Sequence, residues 1–150
     1  MNVGAAFAIE LMHGSAGAAA ARGVRTAVFI REQGIPAALA WDAWDAQAWH
    51  ALARAADGEV VGTARLLPSG QIGRMAVQAG WRRRGVGTAL LQALLAQADA
   101  AGVGSVFLHA QCSAVPFYVR HGFAPRGEPF TEAGIEHRHM TRRPCRRQGD

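Results

Sequence analysis

The densest chemical signal in the chain is Arg82-Arg83-Arg84-Gly85-Val86-Gly87-Thr88. Three consecutive guanidinium groups pair well with phosphate or carboxylate oxygens, often in a bidentate manner. Glycines let backbone approach an anion, and the N–H groups that open a helix lack intrahelical partners at the positive end of its dipole. Such a turn before a helix suits a polyanion. It is not a Walker loop, because no Gly-Lys-Ser/Thr follows, and not a dinucleotide fingerprint, because no G-x-G-x-x-G opens the helix. His137 and His139 alternate on one strand and so share a face, with His109 as a third candidate ligand. No acidic or cysteine ligand stands at fixed spacing from them, and no metal is expected. Cys112 and Cys145 are too few and too far apart for a disulfide framework or a zinc knuckle and read as free thiols.

The elements that must position this turn are legible around it. Phe7, Ile9 and Leu11 alternate as in a strand over residues 1–11. Ser15 is placed to cap a helix running to about Glu32, with Val24, Ala27 and Val28 on one face, until Gly34 and Pro36 end it. Residues 37–48 interleave Trp41 and Trp44 with Asp42 and Asp45, with Trp49 just beyond, and read as a short helix or ordered loop. Strand-like runs at 49–55 and 59–67 are joined by Asp57-Gly58, and Pro68-Ser69-Gly70 turns the chain into a third run, 71–77, giving an antiparallel meander. After Gly85, Leu90, Leu91, Leu94, Leu95 and Ala98 mark a helix buried along one stripe as far as Gly102. A strand at 105–110, a helix at 113–121 stopped by Gly122, a strand from Phe123 and a closing strand at 135–141 follow. The order predicts one mixed α/β domain, 1–141, and a disordered basic tail, 142–150.

A chain of 150 residues is long enough to close a core without disulfides or metal. Its net charge of +5 invites a nucleic-acid reading. All its basic residues are arginine, however, and Arg142, Arg143, Arg146 and Arg147 crowd the end. Without residues 142–150 there remain 12 arginines against 10 acids. The body is nearly neutral, its basicity is the local patch at 82–84, and no nucleic-acid partner is expected. The absence of lysine excludes Schiff-base chemistry. No apolar run is long enough to cross a bilayer and the start lacks the basic flank of a signal peptide, so no membrane partner and a cytoplasmic location are expected.

The Arg-Gly turn resembles the acyl-CoA pyrophosphate loop of the GNAT superfamily, Q/R-x-x-G-x-G/A directly after the fourth strand, with Arg82, Gly85 and Gly87 at its three fixed positions. Phe117-Tyr118-Val119-Arg120-His121-Gly122-Phe123 is similar to that superfamily's F-Y-x-x-x-G-F helix, at the expected distance downstream. One branch, the ElaA-like acetyltransferases, is matched by Val28-Phe29-Ile30-Arg31-Glu32-Gln33, by Asp42, Asp45 and His50, by Gly62-Thr63-Ala64-Arg65-Leu66, by Gly73-Arg74-Met75-Ala76-Val77, by Ala110-Gln111 and by Gly134-Ile135-Glu136-His137. The resemblance covers nearly all the chain except its tail.

It implies a mixed, mostly antiparallel sheet of about six or seven strands flanked by about four helices and splayed between strands 4 and 5. It further implies transfer of an acetyl group from acetyl-CoA to a primary amine, on a small molecule or a peptide, by direct attack in a ternary complex of monomer or homodimer. The backbone of Met75, Ala76 and Val77 would hold the pantetheine arm, with the N–H of Val77 polarising the thioester carbonyl. Arg82, Arg83, Arg84, Gly85, Val86, Gly87 and Thr88 would hold the pyrophosphate. Gln111 stands where many members place a cofactor-contacting Asn, and Phe117 and Tyr118 would border the cofactor. Tyr118 falls at the family's general acid, close to the CoA sulfur. The base is open among Glu32, Asp42, Asp45, His50 and His109, with Glu32 and His50 the leading candidates. Glu32, Asp42, Asp45, His109, Arg65 and Arg74 are the acceptor-site candidates, the two arginines either binding an acidic group of the acceptor or bracing the carboxylates. The alternative is a non-catalytic acyl-CoA-binding sensor or interaction module with the same fold.

Overall fold

The computed structural model describes residues 6–142. The meander forms as the turn signals predict: β1 (Phe7–His13), β2 (Trp49–Ala55), β3 (Val60–Leu66) and β4 (Gln71–Val77) pair successively antiparallel. β4 then pairs parallel with β5 (Phe107–Gln111), which pairs antiparallel with β7 (Ile135–Arg142), and β6 (Phe123–Glu132) closes the outer edge. The sheet order is β1-β2-β3-β4-β5-β7-β6.

Central strands β2 and β3 are covered on both faces. Gly62 of β3, beside Ala53 of β2, lets helix α3 (Val86–Ala100) lie close: a Cβ there would stand 2.8 Å from Val86 and 3.2 Å from Leu90. Leu90, Leu91 and Leu94 are consequently fully buried, each burial stabilising by about 1.5–3 kcal/mol. Helix α1 (Ser15–Arg25) lies on the other face, where Gly17 leaves room for His50.

The structure departs from the sequence expectation at three places. Ser15 does not cap α1; Gly14, with φ 79°, occupies that position and its N–H donates to the carbonyl of Ala48 at 2.8 Å, because the chain must reverse sharply out of β1. The expected helix to Glu32 is α-helical only as far as Arg25, and Thr26–Glu32 continues in a wider winding in which Gln33 N–H reaches back five residues to Val28 O at 3.0 Å. Third, Arg142, assigned to the tail, is the last residue of β7 and pairs with Asp99 at 2.9 Å. The rest of the expected tail and Cys145 lie outside the described residues. The tryptophan-rich stretch forms α2 (Ala37–Ala40) and a tight turn at Ala43–Gln47, and α4 (Val115–Arg120) precedes β6.

Candidate functional site

A bulge opens the site. Thr63 faces Ala76 and Arg65 faces Gly73, so Arg74 and Met75 together stand against Ala64, with Arg74 at φ 50°. A left-handed arginine costs about 1–3 kcal/mol, and the extra residue bends β4 away from its neighbour. Pairing with β5 accordingly stops after Gln71–Phe107 and Ile72–Leu108. Gln78 N–H donates to Val61 O on the β3 side at 2.9 Å, so strand alternation turns the N–H and C=O of Val77 into the cleft. There the Val77 carbonyl accepts from Arg82 Nε at 2.9 Å. The cleft is part of a cavity of about 970 Å³.

At one end of the cavity lies the Arg-Gly turn. Arg83 and Gly85 are left-handed, at φ 63° and 85°, and Gly85 caps α3 with no side-chain cap and no acid in the first turn. The leading N–H groups of α3 therefore have no capping side chain, and nothing lies within 4 Å of where a Gly85 Cβ would stand. Arg82 donates twice to Glu32, at 2.7 and 2.6 Å. These bonds hold the Glu32 pKa below the usual carboxylate value; burial opposes them, and attraction to the same guanidinium adds a smaller downward effect. Arg84 lies over the Trp81 ring at 5.4 Å.

Midway, Tyr118 on α4 donates its hydroxyl to the Met75 sulfur at 3.6 Å. Packed edge-on against Phe117 and Phe123, it is buried, and burial pushes its pKa up to about 12. Gln111 Nε2 donates to Gln33 Oε1 at 3.3 Å across the cavity.

The far end is charged. Arg25, fully buried, donates to both Asp45 oxygens at 2.8 and 2.9 Å. Arg65 donates to both oxygens of Asp42, at 2.7 and 2.8 Å, and to Asp45 at 2.8 Å. Burial alone would raise the Asp45 pKa, but the bonds from Arg25 and Arg65 outweigh it and hold this carboxyl well below the usual range. Arg74 adds one bond, to Asp42 at 3.1 Å. On the opposite wall Glu132 faces His109 Nδ1 at 3.3 Å and His137 Nε2 at 4.0 Å. His137 Nδ1 lies 2.7 Å from the Ile135 carbonyl, which only accepts, so Nδ1 carries a proton and Nε2 is the ring nitrogen turned to Glu132.

Most of the candidates read from the sequence meet at this cavity, including Glu32, Asp42, Arg65, Arg74, His109, Val77, Gln111 and Tyr118. His50, Asp45 and Arg84 do not line it. His50 is fully buried beneath α1, its Nε2 bonded to the Asp45 carbonyl at 2.9 Å, and burial lowers its pKa. That position sets it apart from the cavity wall, in a hydrogen-bonded core environment. Sequence reasoning missed Glu132, His137 and Gln33 as cavity residues, and Arg25 as the partner of Asp45. His137 had a signal in the G-I-E-H run and in its alternation with His139, and Gln33 in the run Val28–Gln33; Glu132 and Arg25 need the long-range fold. Among the described residues no three His, Cys, Asp or Glu side chains come together as a metal-holding group, and no helix is long and apolar enough to cross a membrane.

Comparison with known proteins gives a consistent picture. A family model described as an acetyltransferase (GNAT) domain matches residues 16–144. The Bacillus subtilis protein YjcF, described as an uncharacterized N-acetyltransferase, is 36% identical over 122 residues, spanning 78% of this chain and 86% of its own. Escherichia coli ElaA superposes with a TM-score of 0.80 at 29% identity, over 91% of this chain and 99% of that one. An acyl-CoA N-acyltransferase from Pseudomonas aeruginosa does so with a TM-score of 0.80 at 28% identity, over 91% and 99%.

Proposed function

The chain belongs to the GNAT acetyltransferase family and is an acyltransferase, and from that premise we propose that it moves an acetyl group from acetyl-CoA to a primary amine within a ternary complex. The observation that carries the reading is the cleft itself: an unpaired strand edge at Met75–Val77 that runs from an uncapped helix start to the hydroxyl of Tyr118.

The residues divide the work. The N–H groups at the start of α3 and the arginines beside them suit the two phosphates, with Gly85 and Gly87 keeping Cβ atoms out of the approach. A pyrophosphate there competes with Glu32 for Arg82. The Val77 N–H, turned into the cleft, donates to the thioester oxygen as charge develops on it. Tyr118 rests on Met75, two residues earlier, so the acyl group lies along Met75–Val77. As the N–C bond forms and the C–S bond breaks, the amine proton passes to His137 Nε2 and the sulfur departs toward the Tyr118 hydroxyl. A phenol at about 12 is a weaker acid than a thiol, at about 8.5, so complete transfer to the thiolate runs uphill. Tyr118 therefore contributes chiefly as a hydrogen-bond donor to the developing thiolate.

The test is thiol release from acetyl-CoA against a panel of amines, with Tyr118→Phe alongside. Turnover with at least one amine, falling about 100-fold in kcat for the variant with little change in acetyl-CoA affinity, is expected. Tight acetyl-CoA binding with no thiol released by any amine would favour the sensor alternative.

A further inference from the structure

The buried ion cluster beside the cavity does not balance. Three arginines, Arg25, Arg65 and Arg74, share two aspartates, Asp42 and Asp45. Arg25 and Arg65 are saturated on the carboxylate side: Arg25 grips both oxygens of Asp45, and Arg65 makes three bonds to the pair. Arg74 is left with one bond, at 3.1 Å, to an Asp42 oxygen that Arg65 already holds at 2.8 Å. Among the described residues that is the only side-chain hydrogen bond Arg74 makes; the Nε atoms of all three arginines are buried without a partner, so the imbalance lies in the terminal nitrogens of Arg74.

Arg74 is also the member of the cluster that the backbone pushes toward the cavity. It sits in the bulge at φ 50°, a conformation that disfavours any residue with a Cβ, and its side chain is 28% exposed against 5% for Arg65 and 0% for Arg25. Burial, and then the proximity of Arg65, lower its pKa, which shows the electrostatic pressure on an undercompensated cation. An undercompensated, partly desolvated guanidinium at a cavity wall is a site for an anion.

Resting on the acyltransfer reading above, we propose that Arg74 recognises a carboxylate of the acceptor, so that the substrate class is amino carboxylic acids rather than simple amines. The acceptor's carboxylate supplies the second negative partner that the cluster lacks. Leu39 and Trp44, 51% and 52% exposed on the rim of the same cavity, offer cover for an apolar side chain on such a molecule.

The experiment compares apolar amino acids with their amides, as acceptors in the thiol-release assay and, as N-acetylated products, by direct titration. Wild-type protein should prefer the carboxylate member by about 10- to 100-fold in kcat/KM, after correction for the free-amine fraction, and in product affinity. In Arg74→Gln that ratio should collapse toward one through KM, while Arg74→Lys, which keeps the charge, should retain part of it. Melting curves of both variants establish that they fold. No preference in the wild type, or an unchanged preference in Arg74→Gln, overturns the carboxylate subsite. The product titration needs no turnover, so the subsite is judged even if no amine reacts; failure of acetyl-CoA to bind at all would remove the acyltransfer reading instead.

Discussion

At the residue scale, Glu32 and Arg82 illustrate how a sequence can place the right groups together and leave their relation open. Both were candidates for the site, Glu32 on the acceptor side and Arg82 at the pyrophosphate loop, yet they form one bidentate pair, with the Arg82 Nε on the Val77 carbonyl. Fifty positions separate them in the chain, so no spacing rule exposes the pairing. In the proposed binding mode a pyrophosphate takes the guanidinium that Glu32 now holds, so Glu32→Gln should tighten acetyl-CoA binding by about 3- to 10-fold, as measured by equilibrium titration. Weaker binding would mean that Glu32 positions Arg82 for the phosphates rather than competing with them. Tyr118 was legible as a residue type in a motif; its elevated pKa, which sets what it can do for a thiolate, follows from burial among residues of other elements.

At the element scale, local patterns predicted well what local physics determines. Hairpin turns at Asp57-Gly58 and Pro68-Ser69-Gly70 gave β2, β3 and β4 nearly to the residue, and the leucine stripe gave α3. The widened winding at Thr26–Glu32 was not legible, since its apolar spacing fits an ordinary helix as well. Nor was the bulge at Arg74 and Met75, an arrangement that depends on the register with β3. Close contact between α3 and β3 at Gly62 yields a stability prediction: Gly62→Val, whose Cβ would meet Val86 at 2.8 Å, should destabilise by about 1–3 kcal/mol in denaturant unfolding. An unchanged midpoint would show that α3 can shift outward freely.

At the scale of the whole molecule, the sheet order and the cleft emerge from pairings between distant segments, β4 with β5 and β5 with β7. The resemblance implied the splay; composition and periodicity could not have. The ion cluster joins α1, the Ala43–Gln47 turn, β3 and β4, and ties acid stability to the fold. Folded pKa values of Asp45 and Asp42 lie below their unfolded values, so their contribution is fully present above the usual carboxylate range and is lost as pH falls through the lowered values. The melting temperature should therefore decline steadily from about pH 5 toward pH 2. A flat profile there would show that the cluster adds nothing to folding. The most direct test of the central claim, that the β4–β5 cleft and the start of α3 form a site for acyl-CoA, is the melting temperature across an acetyl-CoA titration. Saturating acetyl-CoA should raise it by about 5–10 °C, whereas no shift at any concentration would contradict the claim.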